Sequence, residues 1–511
     1  MVNLCRLQSH SHLLFCFTFT GLAQKLLAYQ LLTMREKIVF FLNHERVEIH
    51  GAEAFMPLST WLRERKAMTG TKVVCSEGDC GACTVILGWK KKKKKLEYRI
   101  IDSCIQFLFQ LDCCHVITVE GLTRNGNLHP AQQAMVECFG SQCGYCTPGF
   151  VMALAHLQEE AQGITAAAIR EKLTGNLCRC TGYEAIVKAG LTLNEKPATG
   201  FLAGFDRKAM EAEFGLLSQQ SVKISGAGEQ LFFKPQNLGE ALKLRQAIPQ
   251  LKIIAGGTDL GVQHNKGRSP LVQAMFIAHL HEIGDIKEVN GSLEIGAVTN
   301  WTDVLRVAEK KLPALHEILS IFAAEQIRNA ATIGGNIINA SPIADSLPCL
   351  FVLGARLVLA STAGEREVDI NHFYTGYKKF DMQRDELLTK IILPLPAQDS
   401  LFRLYKVSKR RDLDISTATL AINLRVSGGK ISEAHAAAGG VAATVLRLRS
   451  AEKFLTGQNF SAEVLNEAGR IAAAEIQPLS DVRGSADYRK SLIRNLFSKF
   501  YSEATTMERV G

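Results

Sequence analysis

Cysteine is scarce in this sequence, and membrane-length apolar runs are missing. Only 14 of the 511 residues are cysteine, too few for a disulfide scaffold at this length. The apolar run Leu13 to Leu22 is broken by Gln24 and Lys25 before it reaches the ~20 residues that a transmembrane helix needs. We therefore expect neither a disulfide-stapled secreted protein nor a membrane protein, and we place the chain in the cytoplasm.

A spread basic surface is missing as well. The net charge is +9, but six of the positive charges form the run Lys90–Lys95, which is typical of a solvated loop. Nucleic-acid binding needs a basic face, preferably with interleaved aromatics, and neither is visible. None of the 13 histidines lies in a cluster that suggests a catalytic acid or base, so we assign no catalytic residue.

What is present suits a protein of several globular domains. Hydrophobic residues make up 47% and charged residues 21% of the chain. A length of 511 residues favours about three or four domains. Residues 1–33 form an extension in which the apolar run follows a lone Arg6 and no clean cleavage site follows. A misassigned start explains this extension better than a targeting signal does.

Hydrophobic patterning predicts two small domains of different character in the N-terminal part. Residues 34–116 show short strand patterns and one helix capped by Ser59, with "CTVILGW" and "LEYRII" pairing across the lysine run. Residues 117–200 predict four short helices, with Pro130 in a first turn and Thr165 as an N-cap. The remaining stretch, residues 201–222, is weakly patterned, and we interpret it as a linker.

The C-terminal part alternates strand and helix patterns. We expect an α+β domain over residues 223–398 and a second α+β domain over residues 399–511, the latter with a hairpin at Gly428-Gly429. The whole chain is therefore predicted to be an α+β multidomain protein.

Three cysteines in "VVCSEGDCGACTV" have the spacing of an iron–sulfur site. Cys75, Cys80 and Cys83 follow the C-x4-C-x2-C pattern, and Cys104 comes later in "IDSCIQF". This is the plant-type 2Fe-2S ligand pattern. Zinc also takes four thiolates but usually shows paired C-x2-C knuckles, and a disulfide is disfavoured without a secretory context. The spacing therefore favours a 2Fe-2S cluster, with zinc as the rival.

A second cysteine group lies in the predicted helical domain. Cys143 and Cys146 occur in "SQCGYCTPG", and Cys178 and Cys180 in "NLCRCTGY". Each pair is expected at a helix end, where free backbone amides stabilise thiolates. The spacing alone leaves iron–sulfur and zinc chemistry open. The other cysteines show no partner spacing, and we interpret them as small buried hydrophobes.

Two glycine turns point to a dinucleotide. In "IIAGGTDLG" a buried strand runs into Gly256-Gly257, and "TIGGNIINASPIAD" carries Gly334-Gly335 with Asp345 downstream. Glycines after a strand let backbone amides approach a pyrophosphate. Neither turn has the G-x-G-x-x-G fingerprint, so each alone is equally well read as an ordinary tight turn. Two such turns in one domain fit one extended dinucleotide better.

Taken together, "CSEGDCGACTV…CIQFL…TVEGL" and "QCGYCTPGFVM…LTGNLCRCTGY" resemble the paired iron–sulfur domains of the molybdenum hydroxylases, the family of xanthine dehydrogenase and aldehyde oxidase. The resemblance implies a β-grasp ferredoxin-like domain, a four-helix 2Fe-2S domain, an α+β FAD-binding domain and an α+β C-terminal domain. It identifies the second group as another 2Fe-2S cluster, nearer the molybdenum centre, while the plant-type cluster is nearer the flavin. The position of Gln142 approaches the pterin in that family.

The resemblance also implies FAD contacts along the flavin half. Phe322 is expected near the isoalloxazine and Leu388 beside the ring system, and the loop from Val407 to Ser416 governs nicotinamide access in relatives. The full set of implied FAD contacts is Ile253, Ile254, Ala255, Gly256, Gly257, Thr258, Asp259, Leu260, Phe322, Thr332, Asp345, Leu388 and Lys406.

The implied function is electron transfer. Single-chain members of the family continue into a large molybdopterin domain, whereas this sequence stops at Gly511. We therefore expect a redox subunit whose partner is a molybdopterin-binding large subunit, in a heterotetramer or larger assembly. Electrons from purine oxidation in the partner are expected to pass through the second cluster, the first cluster and FAD to NAD.

Two rival functions stay open from the sequence. One is the redox subunit of another molybdenum hydroxylase, with an aldehyde or an N-heterocycle as substrate. The other is a non-enzymatic binding protein stapled by zinc at both cysteine groups. A visible spectrum separates the second rival, since clusters and flavin absorb visible light and zinc does not.

Overall fold

The computed structural model describes residues 34–90, 95–160, 163–195 and 200–508. The predicted extension 1–33 and Lys91–Lys94 of the lysine run lie outside the described residues. Within the described ranges, no helix is both long enough and apolar enough to cross a bilayer.

The N-terminal domain is a five-stranded mixed sheet in the order β2-β1-β5-β3-β4. β1 pairs parallel with β5, and β3 pairs antiparallel with β4 across the lysine run, as predicted. The predicted helix is present, but it begins after Pro57 rather than at a Ser59 cap, since Ser59 is itself helical and buried. The elements are β1 (Ile38–Leu42), β2 (Glu45–Ile49), α1 (Leu58–Glu64), β3 (Thr84–Lys90), β4 (Leu96–Asp102) and β5 (Cys114–Ile117).

The second domain consists of the four predicted short helices. Pro130 starts the first of them, and the Thr165 side chain accepts a hydrogen bond from the backbone N–H of Ala168 to cap the third. The apolar faces of these helices share one core with Ile86, Ile100 and other residues of the N-terminal sheet. The helices are α2 (Pro130–Glu137), α3 (Thr147–Glu160), α4 (Ala166–Lys172) and α5 (Glu184–Thr192).

The predicted linker 201–222 is more ordered than its pattern indicated. It contains α6 (Arg207–Leu217), which is capped by the Asp206 side chain. Met210 and Phe214 of this helix are buried in the core of the helical domain. Two apolar positions four residues apart form a narrow apolar stripe. The helical periodicity of the sequence was therefore too weak to predict this helix.

Residues 222–394, which we call the flavin half, contain two sheets. The first has the order β6-β7-β9-β8 and the second, antiparallel, the order β10-β11-β16-β12-β13, with β14 and β15 as a separate pair. The strands are β6 (Val222–Ser225), β7 (Leu231–Lys234), β8 (Lys252–Ile254), β9 (Gln273–Phe276), β10 (Ile286–Val289), β11 (Ser292–Gly296), β12 (Arg356–Ser361), β13 (Gly364–Asp369), β14 (Tyr374–Gly376), β15 (Lys379–Phe380) and β16 (Leu387–Pro394).

Helices cover and connect these two sheets. The most important for function is the helix that follows β8, because it starts at the first glycine turn. The helices are α7 (Leu238–Ala247), α8 (Thr258–Asn265), α9 (Trp301–Lys311), α10 (Pro313–Ser320), α11 (Glu325–Ala330), α12 (Ile333–Asn339), α13 (Leu347–Val352) and α14 (Ile370–Phe373).

The C-terminal domain packs helices on a four-stranded sheet in the order β17-β18-β19-β20. The predicted hairpin at Gly428-Gly429 joins β18 and β19. The elements are β17 (Ser400–Val407), β18 (Ala418–Ser427), β19 (Lys430–Gly439), β20 (Leu446–Arg447), α15 (Arg449–Leu455), α16 (Ala462–Glu475) and α17 (Ala486–Glu508). The α+β multidomain prediction is therefore confirmed.

Candidate functional site

The first cysteine group converges in the N-terminal domain. Cys75, Cys80 and Cys83 lie on the loop between α1 and β3, and Cys104 lies on the turn after β4. The Cys75 thiol contacts those of Cys104 and Cys80, and Cys83 contacts Cys104. Gly78 has a φ of +71°, a left-handed conformation that this tight loop requires. All four predicted ligands are thus brought together.

Thiols this close cannot all ionise without a cation. The contacts with Cys104 and Cys80 lower the pKa of Cys75. The contact with Cys75 in turn raises the pKa of Cys80 and, together with the Cys83 contact, that of Cys104. One thiolate therefore suppresses the ionisation of its neighbours. A bound metal centre is what allows four such groups to ligate as thiolates.

This first group faces the flavin half. Cys83 and Cys104 pack against Val262 of α8 and Ile327 of α11. Asn265, the last residue of α8, donates a hydrogen bond to the Cys104 carbonyl at 2.8 Å. Since α8 starts at the first glycine turn and has eight residues, it links that turn to the first group over about 12 Å.

The second group converges at the surface of the helical domain. Cys143 and Cys146 lie just before α3, and Cys178 and Cys180 lie on the turn before α5, near helix ends as predicted. The sulfurs of Cys180 and Cys143 are 3.6 Å apart, and Cys146 contacts Cys178. Cys143 and Cys180 are exposed, whereas Cys178 is buried. The four ligands predicted for the second cluster are also brought together.

The way the sulfurs pair tests which metal fits. Around one zinc ion, with Zn–S near 2.3 Å, all thiolate sulfurs lie about 3.8 Å from one another. Among the described residues, the one trio of potential ligands mutually within 4.8 Å is His156, Glu160 and Glu325, so no three cysteine sulfurs meet that closely. The sulfurs contact two at a time, in a chain at the first group and as two pairs at the second, and this arrangement fits a centre of two irons with four thiolates.

That trio is not a cation site, because an ammonium group already occupies it. The Lys172 Nζ lies 2.7 Å from His156 Nδ1, 2.8 Å from Glu160 and 2.7 Å from Glu325. These contacts instead join the helical domain to the flavin half.

The backbone segments that carry the two cysteine groups touch where Leu177 meets Cys80, and we call this contact the crossing. The N–H of Leu177, next to Cys178, donates to the carbonyl of Cys80 at 2.9 Å. The approach is close, since a Cβ on Gly81 would lie 2.3 Å from the Gly175 carbonyl oxygen. The segments that carry the two groups are therefore in direct contact.

The first glycine turn of the flavin half contacts the segment just before the second one. Gly257, with a φ of +74°, is the N-cap of α8, and Thr332 caps α12 by accepting a hydrogen bond from the N–H of Gly335 at 3.1 Å. A Cβ on Gly256 would lie 2.1 Å from the Ala330 carbonyl oxygen, so only glycine permits this contact. The start of α8 therefore lies close to the segment that leads into α12. Paired helix N-termini fit the pyrophosphate of a dinucleotide.

The remaining predicted flavin contacts fall into two places. Asp345 is buried, and its carboxylate accepts hydrogen bonds from Lys406 Nζ and Ser416 Oγ, each at 2.5 Å. Phe322 packs edge-on against Trp301 beside the second sheet. Leu388 lies within β16, 5% exposed, in the same hydrophobic core as Phe322. The structure thus separates an ion-paired end, at Asp345, from an apolar end.

Several polar residues of the site carry no local sequence signal. Asn265 and Ser416 reach groups that are far away in sequence, and so do Asn176 and Gln326 at the cysteine crossing. Spacing patterns find ligands that lie close together along the chain, whereas these side chains act across domains. Only the positions of the neighbouring cysteines and glycines could have directed attention to them.

Three stretches of the chain match described domain families. Residues 118–191 match a 2Fe-2S binding domain, residues 223–396 match the FAD binding domain in molybdopterin dehydrogenase, and residues 403–504 match the CO dehydrogenase flavoprotein C-terminal domain. The 2Fe-2S domain predicted around the second cysteine group and the predicted FAD-binding domain are therefore present.

Curated relatives align with nearly the whole chain. Xanthine dehydrogenase 1 of Arabidopsis thaliana is 30% identical, over 91% of this chain and 39% of the relative. Xanthine dehydrogenase/oxidase of Gallus gallus is 28% identical, over 91% of this chain and 40% of the relative. The chain thus spans about two fifths of the length of these relatives.

Solved structures match about half of the chain. Carbon monoxide dehydrogenase from Hydrogenophaga pseudoflava superposes with a TM-score of 0.51 at 29% identity, covering 52% of this chain and 94% of that chain. Quinoline 2-oxidoreductase from Pseudomonas putida 86 gives a TM-score of 0.50 at 26% identity, covering 53% and 95%.

Proposed function

Because the chain belongs to the molybdenum hydroxylase family, we propose that it is the small, iron–sulfur/FAD subunit of a xanthine dehydrogenase of the bacterial, heteromeric kind. In this role it passes electrons from a molybdenum centre in a partner chain, through two 2Fe-2S clusters, to FAD and then to NAD, while hypoxanthine and xanthine are oxidised to urate. The names of the curated relatives support the purine substrate. Cluster assembly favours a reducing compartment, so the proposal places the protein in the cytoplasm.

The arrangement of the cysteine groups carries this proposal. The second group is at the surface, direct hydrogen bonds join its segment to that of the first group, and the first group packs against the flavin half. A partner at the exposed end and a flavin at the buried end define the order of the centres in this relay. The cofactors supply the redox chemistry when bound, and FAD converts single electrons into a hydride for NAD.

The protein's own part is to hold and place these groups. The thiols of Cys75, Cys80, Cys83 and Cys104 hold one cluster, and those of Cys143, Cys146, Cys178 and Cys180 hold the other. The backbone N–H groups at the starts of α8 and α12 bind the FAD pyrophosphate. The buried Lys406–Asp345 pair fixes the orientation of a polar end of the cofactor.

The exposed cysteine group is bordered by an apolar rim, which we define as Tyr145, Leu177 and Tyr183. These side chains are 45%, 57% and 36% exposed. Exposed apolar side chains clustered beside a functional group mark an interaction surface. We assign this rim and the exposed Gln142 to the docking surface of the molybdopterin-binding large subunit.

The loop from Val407 to Ser416 is assigned to nicotinamide access. Arg410 and Asp414 form an exposed ion pair at 2.5 Å on this loop. Charge interactions link Arg410 to Asp79, beside the first cysteine group. The loop therefore lies between solvent and the region where the first cluster approaches the flavin half.

A second candidate function has its own support. The two solved structures described above, carbon monoxide dehydrogenase and quinoline 2-oxidoreductase, are named for substrates other than purines. In this second candidate function, the chain is the redox subunit of a molybdenum hydroxylase that oxidises an aldehyde or an N-heterocycle. A zinc-stapled binding protein is disfavoured by the pairing of the sulfurs and by the 2Fe-2S domain match.

Co-purification with the molybdopterin-binding subunit tests the proposal. The complex is expected to reduce NAD with hypoxanthine or xanthine and to release urate. Turnover of an aldehyde or of quinoline, without turnover of the purines, would assign the second candidate function instead.

A further inference from the structure

A ring of buried hydrogen bonds surrounds the crossing of the two cysteine-bearing segments. The Gly81 carbonyl, on the first cysteine loop, accepts from Thr84 Oγ1 at 2.6 Å and from Asn176 Nδ2 at 3.0 Å. Asn176 directly precedes Leu177, whose N–H donates to the Cys80 carbonyl. The ring therefore holds the two segments together where they come closest.

The flavin half closes this ring with one side chain. Gln326 of α11 is fully buried, and its Nε2 donates to Thr84 Oγ1 at 3.2 Å and to Asn176 Oδ1 at 3.0 Å. Its Oε1 lies against Gly175, where a Cβ would be only 2.1 Å away. Gln326 thus contacts the N-terminal domain and the helical domain at the same point.

The orientation of the Gln326 amide is determined by its neighbours. Thr84 Oγ1 uses its proton toward Gly81, and Asn176 Oδ1 can only accept, so both atoms require a donor from Gln326. The Gln326 Oε1 atom has no hydrogen-bond partner among the described residues. The two hydrogen bonds that Gln326 donates are therefore what distinguishes it from an apolar side chain of similar size at this position.

We propose that Gln326 is a positioning residue for electron transfer between the two clusters: it holds the Cys80–Leu177 crossing closed from the flavin half. The inference rests on the proposed function. Docking of the flavin half then completes the inter-cluster path as well as the path from the first cluster to FAD. A chain of this kind passes electrons efficiently only when all three domains are packed together.

The test uses the full chain with its cofactors, a Gln326→Leu variant and an Asn329→Leu control. Asn329 lies on the same helix, is buried and donates to the Ile100 carbonyl of the N-terminal domain at 2.9 Å, but no described hydrogen bond joins it to a cysteine-bearing segment. A photoreductant flash supplies one electron per chain, and freeze-quench EPR follows its equilibration between the clusters.

Iron, sulfide and FAD contents are expected to match in all three proteins. Because a small misplacement of a positioned group lowers a rate strongly, losing the two hydrogen bonds that Gln326 donates is expected to slow equilibration roughly tenfold in Gln326→Leu, with no more than about a twofold change in Asn329→Leu. Equal rates in Gln326→Leu and the unmodified chain would overturn the inference.

Other outcomes are also informative. If Gln326→Leu fails to load a cluster, Thr84→Val breaks the same ring from the other side. Loss of a cluster in both variants would contradict a positioning role, since the ring would then be needed for assembly. An unmodified chain without iron would refute the proposed function itself, which is a different result from equal transfer rates.

Discussion

At the residue scale, each of the eight grouped cysteines contacts another thiol of its own group. Cys349, for comparison, is fully buried in the core, and burial raises its pKa to about 12. Sequence spacing predicted the ligands because four-thiolate centres draw most of their ligands from short loops. The same logic could not find Gln326 or Asn265. The hydrogen bond from Gln326 to Asn176 spans 150 residues of sequence, and the one from Asn265 to Cys104 spans 161 residues.

Serine replacements are expected to remove the clusters separately. Cys80→Ser and Cys178→Ser each take away one of four thiolates, so each variant should lose about two irons per chain and one reduced EPR signal. Cys138→Ser serves as the control, because Cys138 is a half-buried thiol outside both groups. Iron analysis and EPR check the result, and loss of all four irons from either variant would contradict two independent centres.

His115 is expected to make stability pH-dependent. Burial lowers the pKa of His115 to about 4, and the ring is held neutral between Tyr98 Oη at 2.9 Å and the Asn43 carbonyl at 2.8 Å. The unfolded chain binds this proton at an ordinary pKa near 6.5, so unfolding takes up a proton between these pH values. Stability therefore falls as the pH falls from about 6.5 to 4.

The His115→Gln variant tests the direction of this pH dependence. Thermal unfolding of the unmodified protein should show a loss of about 2 kcal/mol between pH 7.5 and pH 5 from this residue alone, and the variant should lack that part. His372→Gln, at a position with 78% side-chain exposure, should keep the full pH dependence. An identical pH dependence in the His115→Gln variant and the unmodified protein would show that His115 is not held neutral by burial.

At the element scale, local signals predicted helices well where caps and prolines mark them. Pro130 and Thr165 start α2 and α4 as the sequence indicated. The sequence could not predict α6, because Met210 and Phe214 can be recognised as an apolar helix face only once the core that buries them is known. The Ser59 cap was wrong because helix α1 starts two residues earlier, with Pro57 in the cap position.

Close contact between elements makes one helical glycine irreplaceable. A Cβ on Gly149 of α3 would lie 2.1 Å from the Gly81 carbonyl oxygen, on the first cysteine loop. Gly149→Ala should therefore lower the unfolding temperature and the yield of loaded clusters, although alanine favours a helix by about 1 kcal/mol. Gly215→Ala in α6, where the nearest atom is the Lys90 Nζ at 3.4 Å, should be neutral or slightly stabilising. Equal unfolding temperatures for the two variants would contradict the close approach of α3 to the first cysteine loop.

At the scale of the whole molecule, the domains are joined by shared cores and by buried charge. Asp112 accepts hydrogen bonds from Arg35 at 2.7 and 2.8 Å and from Lys234 of the flavin half at 2.7 Å. Although burial opposes ionisation, Lys234 and Arg35 hold the pKa of this carboxyl well below its usual range. These contacts join residues 77 and 122 positions apart, which is why local patterns predicted the domains but not their packing.

Removing Lys234, the flavin-half partner of Asp112, is expected to destabilise the chain strongly. Lys234→Met leaves a fully buried carboxylate with one cation fewer, at a cost of about 3 kcal/mol. Thermal unfolding should show a lower midpoint for this variant than for Lys287→Met, a control on the exposed face of β10. Equal midpoints for the two variants would mean that Asp112 does not depend on Lys234.

The central claim is that one chain holds two separate iron–sulfur centres beside a flavin, and an EPR-monitored redox titration of anaerobically purified protein tests it most directly. About four irons, four sulfides and one FAD per chain are expected, with two distinct paramagnetic signals appearing on dithionite reduction. A colourless, zinc-containing protein that gives no signal after reduction would contradict the account.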